Sequence, residues 1–276
     1  MTTIVCQQVA PRIADLQANR RLALSAISDA VSAGADVVVL PELVTSGYMF
    51  ESAEEAASVA VAPEDALFEE WAAEAGSAVV IGGFAERGED GLTYNSAAVV
   101  DASGVIGVYR KVHLWDREKL WFAPGGEPPR VFDTPAGRIG VLVCYDLEFP
   151  EMPRTLALAG AELVCVPTNW PYTERPDGER PGEVVIAQAA ARVNRVAIAC
   201  CDRTGTERGQ QWNGGTSVID QDGWVLDAQP GAGPARAEVE LSRSREKALT
   251  ELADVMADRR PEVYGAVGQP VARPVA

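Results

Sequence analysis

Three reactive side chains stand at the ends of three different apolar runs in this chain. Cys144 closes RIGVLVC, residues 138–144, and precedes YDLEFPEMPRTLALAGA, which turns into a helix. A thiol at a sharp strand-to-helix turn is open to substrate, and the backbone N–H groups behind it can receive an oxyanion. A buried structural cysteine is as common an outcome, and position alone does not choose between them. An ordinary thiol, with a pKa of roughly 8.5, is only slightly ionised at neutral pH and needs a base. The single histidine, His113 in YRKVHLW, is one candidate. Lys111, two residues earlier, shares its face if that segment is extended. Glu42 follows DVVVL through Pro41, at the strand end where open α/β sheets build sites. Each has an ordinary reading too: Lys111 as a solvated strand end, Glu42 as a loop carboxylate in water.

The elements that must hold these residues alternate along the chain. Strands are expected over 3–9, 36–40, 78–84, 94–101, 105–111, 138–144, 163–167 and 196–201. Helices are expected over 13–33, 64–75 (with Pro63 at its start), 151–160, 184–194 and 245–257. Residues 216–220 and 224–228 read as a hairpin across Gln221-Asp222-Gly223. This order predicts an α/β fold with sheets covered by helices on the outside. No linker divides the chain, so one domain is expected over 1–276, with a core to about residue 264 and a Pro/Gly-rich tail over 265–276. The loop PYTERPDGERP, 171–181, reads as a site rim or lid.

Composition narrows the classes. Apolar residues make up 47 % and charged residues 23 %, which excludes disordered and collagenous chains. With 24 basic and 40 acidic residues the net charge is −16, so a phosphate backbone is repelled and no nucleic-acid partner is expected. MTTIVCQQVAP lacks the basic and apolar regions of a signal peptide, and no apolar run approaches the roughly 18 residues of a membrane span. Cys6, Cys144, Cys165, Cys200 and Cys201 are odd in number and irregularly spaced, which fits a reducing cytoplasm and no disulfide framework. One histidine excludes multi-His metal sites.

Three blocks in order, PELVTSGY (41–48), YRKVHLWDREKLWFAPG (109–125) and GVLVCYDLEFPE (140–151), resemble the glutamate, lysine and cysteine blocks of the nitrilase superfamily of carbon–nitrogen hydrolases. IGGFAER, TYNSAAVV and GGTSVIDQDG are similar to further family segments, so the resemblance runs from Ile4 to about Tyr264. It implies a four-layer αββα sandwich, usually dimerised or assembled further. It implies Cys144 as nucleophile, Glu42 as general base and Lys111 as stabiliser of the tetrahedral intermediate. Glu118 would be a second carboxylate that positions substrate and Lys111, and the Tyr145 N–H a second oxyanion donor. Tyr48, Asn169 and Trp170 would line the substrate, although Tyr48 and Trp170 also read as core residues. No metal or organic cofactor is implied. The reaction would be hydrolysis of a small amide through a thioester, giving acid and ammonia.

Tyr145 and Asp146 after the nucleophile resemble amidase-like branches, where nitrilases commonly carry Trp. Glu148 stands where branches acting on anionic ω-amides carry Arg. The family's usual Arg and Glu of the 191–205 segment fall on Ala190 and Val193, while Ala191 and Asn194 are kept. Hydrolysis of N-carbamoyl compounds or nitriles is the neighbouring reading, and a non-catalytic binding subunit the reading from another class. A papain-like protease would need His113 as base and a CGSCW-like segment, which is missing; His113 is expected to be structural. An isochorismatase-like hydrolase would need a single doubly wound sheet. The partners expected are a small-molecule amide and a second copy of the chain, in a homodimer or dimer-based oligomer.

Overall fold

The computed structural model describes residues 1–229, 231 and 233–269. In chain order its main strands are β1 (Thr2–Cys6), β2 (Val37–Val39), β3 (Val79–Arg87), β4 (Thr93–Asp101), β5 (Gly104–Arg110), β6 (Val131–Thr134), β7 (Gly137–Val141), β8 (Leu163–Pro167), β9 (Ala197–Cys201), β10 (Thr216–Ile219), β11 (Val225–Gln229) and β12 (Ala235–Val239). They form two six-stranded sheets, in the orders β12-β1-β2-β3-β4-β5 and β11-β10-β9-β8-β7-β6. Strands β1, β2 and β3 run parallel, as do β7, β8 and β9; the outer pairings are antiparallel. Two sheets exclude the single-sheet alternative. The helices are α1 (Leu16–Ser32), α2 (Ala53–Ser58), α3 (Ala66–Ala75), α4 (Glu118–Trp121), α5 (Glu151–Leu158) and α6 (Gly182–Asn194).

Side-chain alternation along the strands builds the layers. Ile4, Cys6, Val37, Val39, Val79 and Ile81 join the core between the sheets. Their neighbours Val5, Val38 and Val80 face the other way, onto Ala23 and Ile27 of α1 and Leu67, Phe68 and Trp71 of α3. On the far side, Leu156 of α5 and Val184, Ala187 and Ala191 of α6 cover the second sheet. The result is an αββα sandwich. Each fully buried Val or Ile contributes about 1.5–3 kcal/mol, so the parallel β2 and β8, buried on both faces, anchor the centre.

Several boundaries differ from the sequence reading. Helix α1 begins at Leu16 because Asp15 caps it, accepting the Ala18 N–H at 3.0 Å. Helix α3 begins at Ala66, capped by Asp65, so Pro63 lies ahead of it. Strand β7 stops at Val141, and Cys144 opens a 3₁₀ turn, Cys144–Glu148. The helix expected over 245–257 is absent. A 3₁₀ turn, Leu241–Arg245, leads instead to a small hairpin of Ala248–Thr250 and Ala253–Asp254. Its apolar residues have no core to enter: Leu252 is 90 % exposed, and Asp254 caps a turn by accepting the Met256 and Ala257 N–H groups. Of the expected tail, 270–276 lie outside the described residues.

Candidate active site

Glu42, Lys111 and Cys144 come from different strands and meet at one end of the sandwich. The glutamate loop leaves β2 through Leu40 and Pro41 and bends at Leu43, whose φ is +50°. Gly83 of β3 makes that bend possible. A Cβ there would lie 2.3 Å from the Leu43 nitrogen and 2.5 Å from the Glu42 Cα. Its own N–H donates to the Pro41 carbonyl at 3.1 Å, so the loop rests on bare backbone.

Glu42 and Lys111 are wholly buried, and Glu118 nearly so. Lys111 Nζ donates to Glu42 Oε1 at 2.6 Å and to Glu118 Oε1 at 2.7 Å. Glu42 Oε1 also accepts Asn95 Nδ2 at 2.7 Å, while Oε2 has no partner among the described residues. Glu118 Oε1 accepts the Tyr48 hydroxyl at 2.5 Å, and Oε2 accepts the Trp115 N–H at 3.2 Å. Burial, opposed by Lys111, pushes the Glu42 carboxyl up to about 7. Burial alone would lower Lys111, but Glu118 and Glu42 outweigh it and hold the ammonium well above its ordinary value. Burial and then the charges of Glu118 and Glu42 keep the Tyr48 phenol neutral. Two of the three Lys111 donors are used, so one remains for an oxygen developing charge.

Cys144 is 5 % exposed and has φ +49°, a conformation that costs a non-glycine residue of order 1–3 kcal/mol. As in other strained turns at reactive sites, the chain holds the thiol at the corner between strand and turn. Burial, then the Glu42 charge, pushes the thiol well above its ordinary value, while Lys111 and the Asn169 N–H pull it down. The resting pair is therefore a neutral thiol beside a carboxyl that titrates near neutrality. The start of the 3₁₀ turn leaves the Tyr145 N–H without an acceptor inside the turn.

Asn169 follows β8 and spans the site. Its Nδ2 donates to the Glu42 carbonyl at 2.9 Å, and its N–H faces the Cys144 thiol. Trp170 is buried, with its ring against Gly215, where a Cβ would lie 2.6 Å away. That is the packing of a core residue, although its indole N–H has no partner among the described residues. The Tyr145 ring meets Trp115 edge-on at 4.8 Å and Phe149 at 5.0 Å.

His113 takes no part in the Glu42–Lys111 network. Its ring stacks on Phe149 at 3.7 Å, and Nδ1 lies 2.8 Å from Asp146 Oδ1. Asp146, wholly buried, also accepts the His113 N–H at 2.9 Å and the Tyr109 hydroxyl at 2.8 Å. It thus ties the Cys144 turn to the lysine segment. Asp146 and Asn95 are the two supporting residues that sequence reasoning left unassigned. Their signal was faint: a polar residue beside the cysteine, and one inside the apolar run TYNSAAVV. Glu148 is exposed and lines a cavity of about 970 Å³ between α5, α6 and the segment ending at Val267. The 171–181 loop has no helix or strand of its own and is held by Asn213, whose Oδ1 accepts the Thr173 N–H at 3.1 Å and Arg175 Nη1 at 3.0 Å.

Comparison with known proteins bears on this arrangement. A family model described as carbon-nitrogen hydrolase matches residues 3–248. A protein named nitrilase from Pyrococcus abyssi is 36 % identical over 271 residues, covering 96 % of this chain and 99 % of the relative. An (R)-stereoselective amidase from a Pseudomonas species is 34 % identical over 262 residues, covering 94 % of this chain and 91 % of the relative. The solved amidase of Nesterenkonia sp. AN1, in a variant carrying acrylamide added at its active site cysteine, superposes with a TM-score of 0.79 at 28 % identity, covering 96 % of this chain and 98 % of that one. The two-sheet fold, the span of the family match and these relatives together make this chain an enzyme of the carbon–nitrogen hydrolase family, the nitrilase superfamily.

Proposed function

We propose that this hydrolase cleaves small primary amides through a thioester on Cys144, with Glu42 as base and Lys111 and the Tyr145 N–H as oxyanion donors. The observation that carries this reading is the buried Glu42–Lys111–Glu118 chain, with Glu42 Oε2 left unpartnered. As the sulfur attacks the carbonyl carbon, its proton passes to Glu42, whose pKa near 7 suits a group that must both take and return a proton. Charge collects on the carbonyl oxygen, facing the third Lys111 donor and the turn amide. Glu42 returns the proton to nitrogen, the C–N bond breaks, and ammonia leaves. Water then gives a proton to Glu42 and its oxygen to the acyl carbon, and the carboxylic acid and thiol are released. Glu118 holds Lys111 in place and is itself held by Tyr48. Tyr48, Tyr145 and Asn169 flank the amide, while Trp170, packed as a core residue on Gly215, backs Asn169.

Relatives named amidase, including the 2-oxoglutaramate amidase of Bacillus subtilis at 32 % identity, favour amides over nitriles. The test is ammonia release from primary amides, nitriles and N-carbamoyl compounds, with Cys144→Ala as blank. Cysteine-dependent release chiefly from amides is expected. Release chiefly from carbamoyl compounds or nitriles would refute the substrate class, and silence across the panel would refute the amidase reading.

We further propose a single domain over 1–276 that works as a homodimer through the α5–α6 face. There Leu158 and Val193, with Val263 and Val267 from the C-terminal segment, are each at least half exposed. Light scattering at the monomer mass would refute this. Five unpaired cysteines suit the cytoplasm, the compartment expected for it; among the described residues no helix is long and apolar enough to cross a membrane.

A further inference from the structure

One buried carboxylate outside the Glu42–Lys111–Glu118 chain ties together three loops around the nucleophile. Asp202 follows β9 and is wholly buried. Its Oδ1 accepts the N–H of Trp170 at 3.1 Å and of Arg203 at 2.8 Å, and its Oδ2 accepts the N–H of Gly215 at 2.9 Å. The Asp202 N–H donates to Thr216 Oγ1 at 2.9 Å. The neighbouring guanidinium of Arg203 is occupied elsewhere, on Glu207 Oε1 at 2.9 Å and the Pro11 carbonyl at 2.8 Å. Backbone dipoles are thus the hydrogen-bond partners that hold this carboxylate. Taking a carboxylate wholly out of water is costly even with three N–H partners, which calls for a reason.

The reason lies one peptide away. The Trp170 N–H and the Asn169 carbonyl share a peptide plane, and in a trans peptide they point in opposite directions. Holding the first therefore orients the second. Asn169 touches both reactive residues, through its side chain to the Glu42 carbonyl and through its N–H to the Cys144 thiol. The Trp170 ring is braced from the other side by the close approach of Gly215. We propose that Asp202 is a positioning residue: by fixing the Asn169–Trp170 peptide it sets the spacing between Glu42 and Cys144. This rests on the reading of those two as base and nucleophile. An aspartate is required because three N–H donors converge on two oxygens. An amide NH₂ in place of either oxygen would meet another N–H.

Alkylation of Cys144 by iodoacetamide, followed by intact-protein mass on the full chain, reads this spacing without needing the natural substrate. Glu42→Gln is the control for the underlying reading; if it leaves the alkylation rate unchanged, the base–nucleophile assignment fails, whatever Asp202 does. Given a slow Glu42→Gln, Asp202→Asn is expected to slow alkylation at least about tenfold, the scale set by small misplacements of reacting groups. A rate for folded Asp202→Asn within about twofold of the parent would overturn the proposal, even with a lower melting temperature, because that is the signature of a merely structural role. Thr216→Val keeps the shape and removes the hydroxyl that accepts the Asp202 N–H and donates to Gln8 Oε1, so it loosens Asp202 without touching its carboxylate and serves if Asp202→Asn does not fold. Slowing of about threefold is expected for it, and an unchanged rate would overturn the proposal.

Discussion

Replacing Lys111 with methionine removes the one cation between two buried carboxylates and keeps most of the side-chain volume. Lys111 makes two short charged hydrogen bonds, at 2.6 and 2.7 Å, in a site closed to water. Hydrogen bonds to charged groups contribute about 1.5–3 kcal/mol each, so the pair amounts to about 3–6 kcal/mol. Breaking a buried ion pair from one side costs about 3–5 kcal/mol, because a charge is left uncompensated. The expected loss for Lys111→Met is therefore about 3–5 kcal/mol at pH 8. It should shrink at pH 6, where Glu42, raised by burial to about 7, takes up a proton and no longer repels the neighbouring carboxylate. Adding Glu118→Gln should restore about 1–2 kcal/mol of stability without restoring activity. Urea unfolding followed by the fluorescence of the six tryptophans measures this, at one protein concentration because assembly shifts apparent stability. A loss below about 1 kcal/mol at pH 8, or a double variant less stable than Lys111→Met, would refute the clamp.

Two further predictions concern the base. Since burial raises Glu42 to about 7, kcat/KM should fall as pH drops through about 7, as the carboxylate that must accept the thiol proton becomes protonated; a profile flat from pH 8 to pH 6 would contradict the assignment. The same raised value means that the folded state binds the Glu42 proton more tightly than the unfolded chain, whose carboxyl titrates near about 4.3. Glu42 therefore adds stability as pH falls from about 7 toward about 4.3, and Glu42→Gln should flatten that part of the stability profile. Gly83→Ala places a methyl 2.3 Å from the Leu43 nitrogen and should displace the glutamate loop. Activity should fall at least about a hundredfold; near-normal kinetics would show that the loop can yield.

Glu42, Lys111 and Cys144 each end an apolar run, but position left each with an ordinary reading; it was the three blocks in order, resembling those of the nitrilase superfamily, that singled them out. The alternation of strands and helices likewise foretold the layers, since period-two burial is written into β1, β2 and β3. Asn95 and Asp146 were harder to see. Their value lies in partners 53 and 37 residues away, which no local pattern announces. Strand β12 escaped for the same reason, as its pairing with β1 joins opposite ends of the chain. The 245–257 segment misled because Leu249, Leu252 and Met256 have helical spacing, yet Leu249 and Leu252 stay exposed in the folded chain. Trp170 remained ambiguous until Gly215 was seen against its ring.

The most direct test of the central claim is a rapid-quench reaction with a turned-over amide, read by intact-protein mass and by ammonia release. The account predicts an acyl group on Cys144 whose appearance coincides with ammonia release and precedes the acid, and neither adduct nor ammonia from Cys144→Ala. Ammonia release by folded Cys144→Ala at a rate near that of the parent would contradict it, and would place the nucleophile elsewhere.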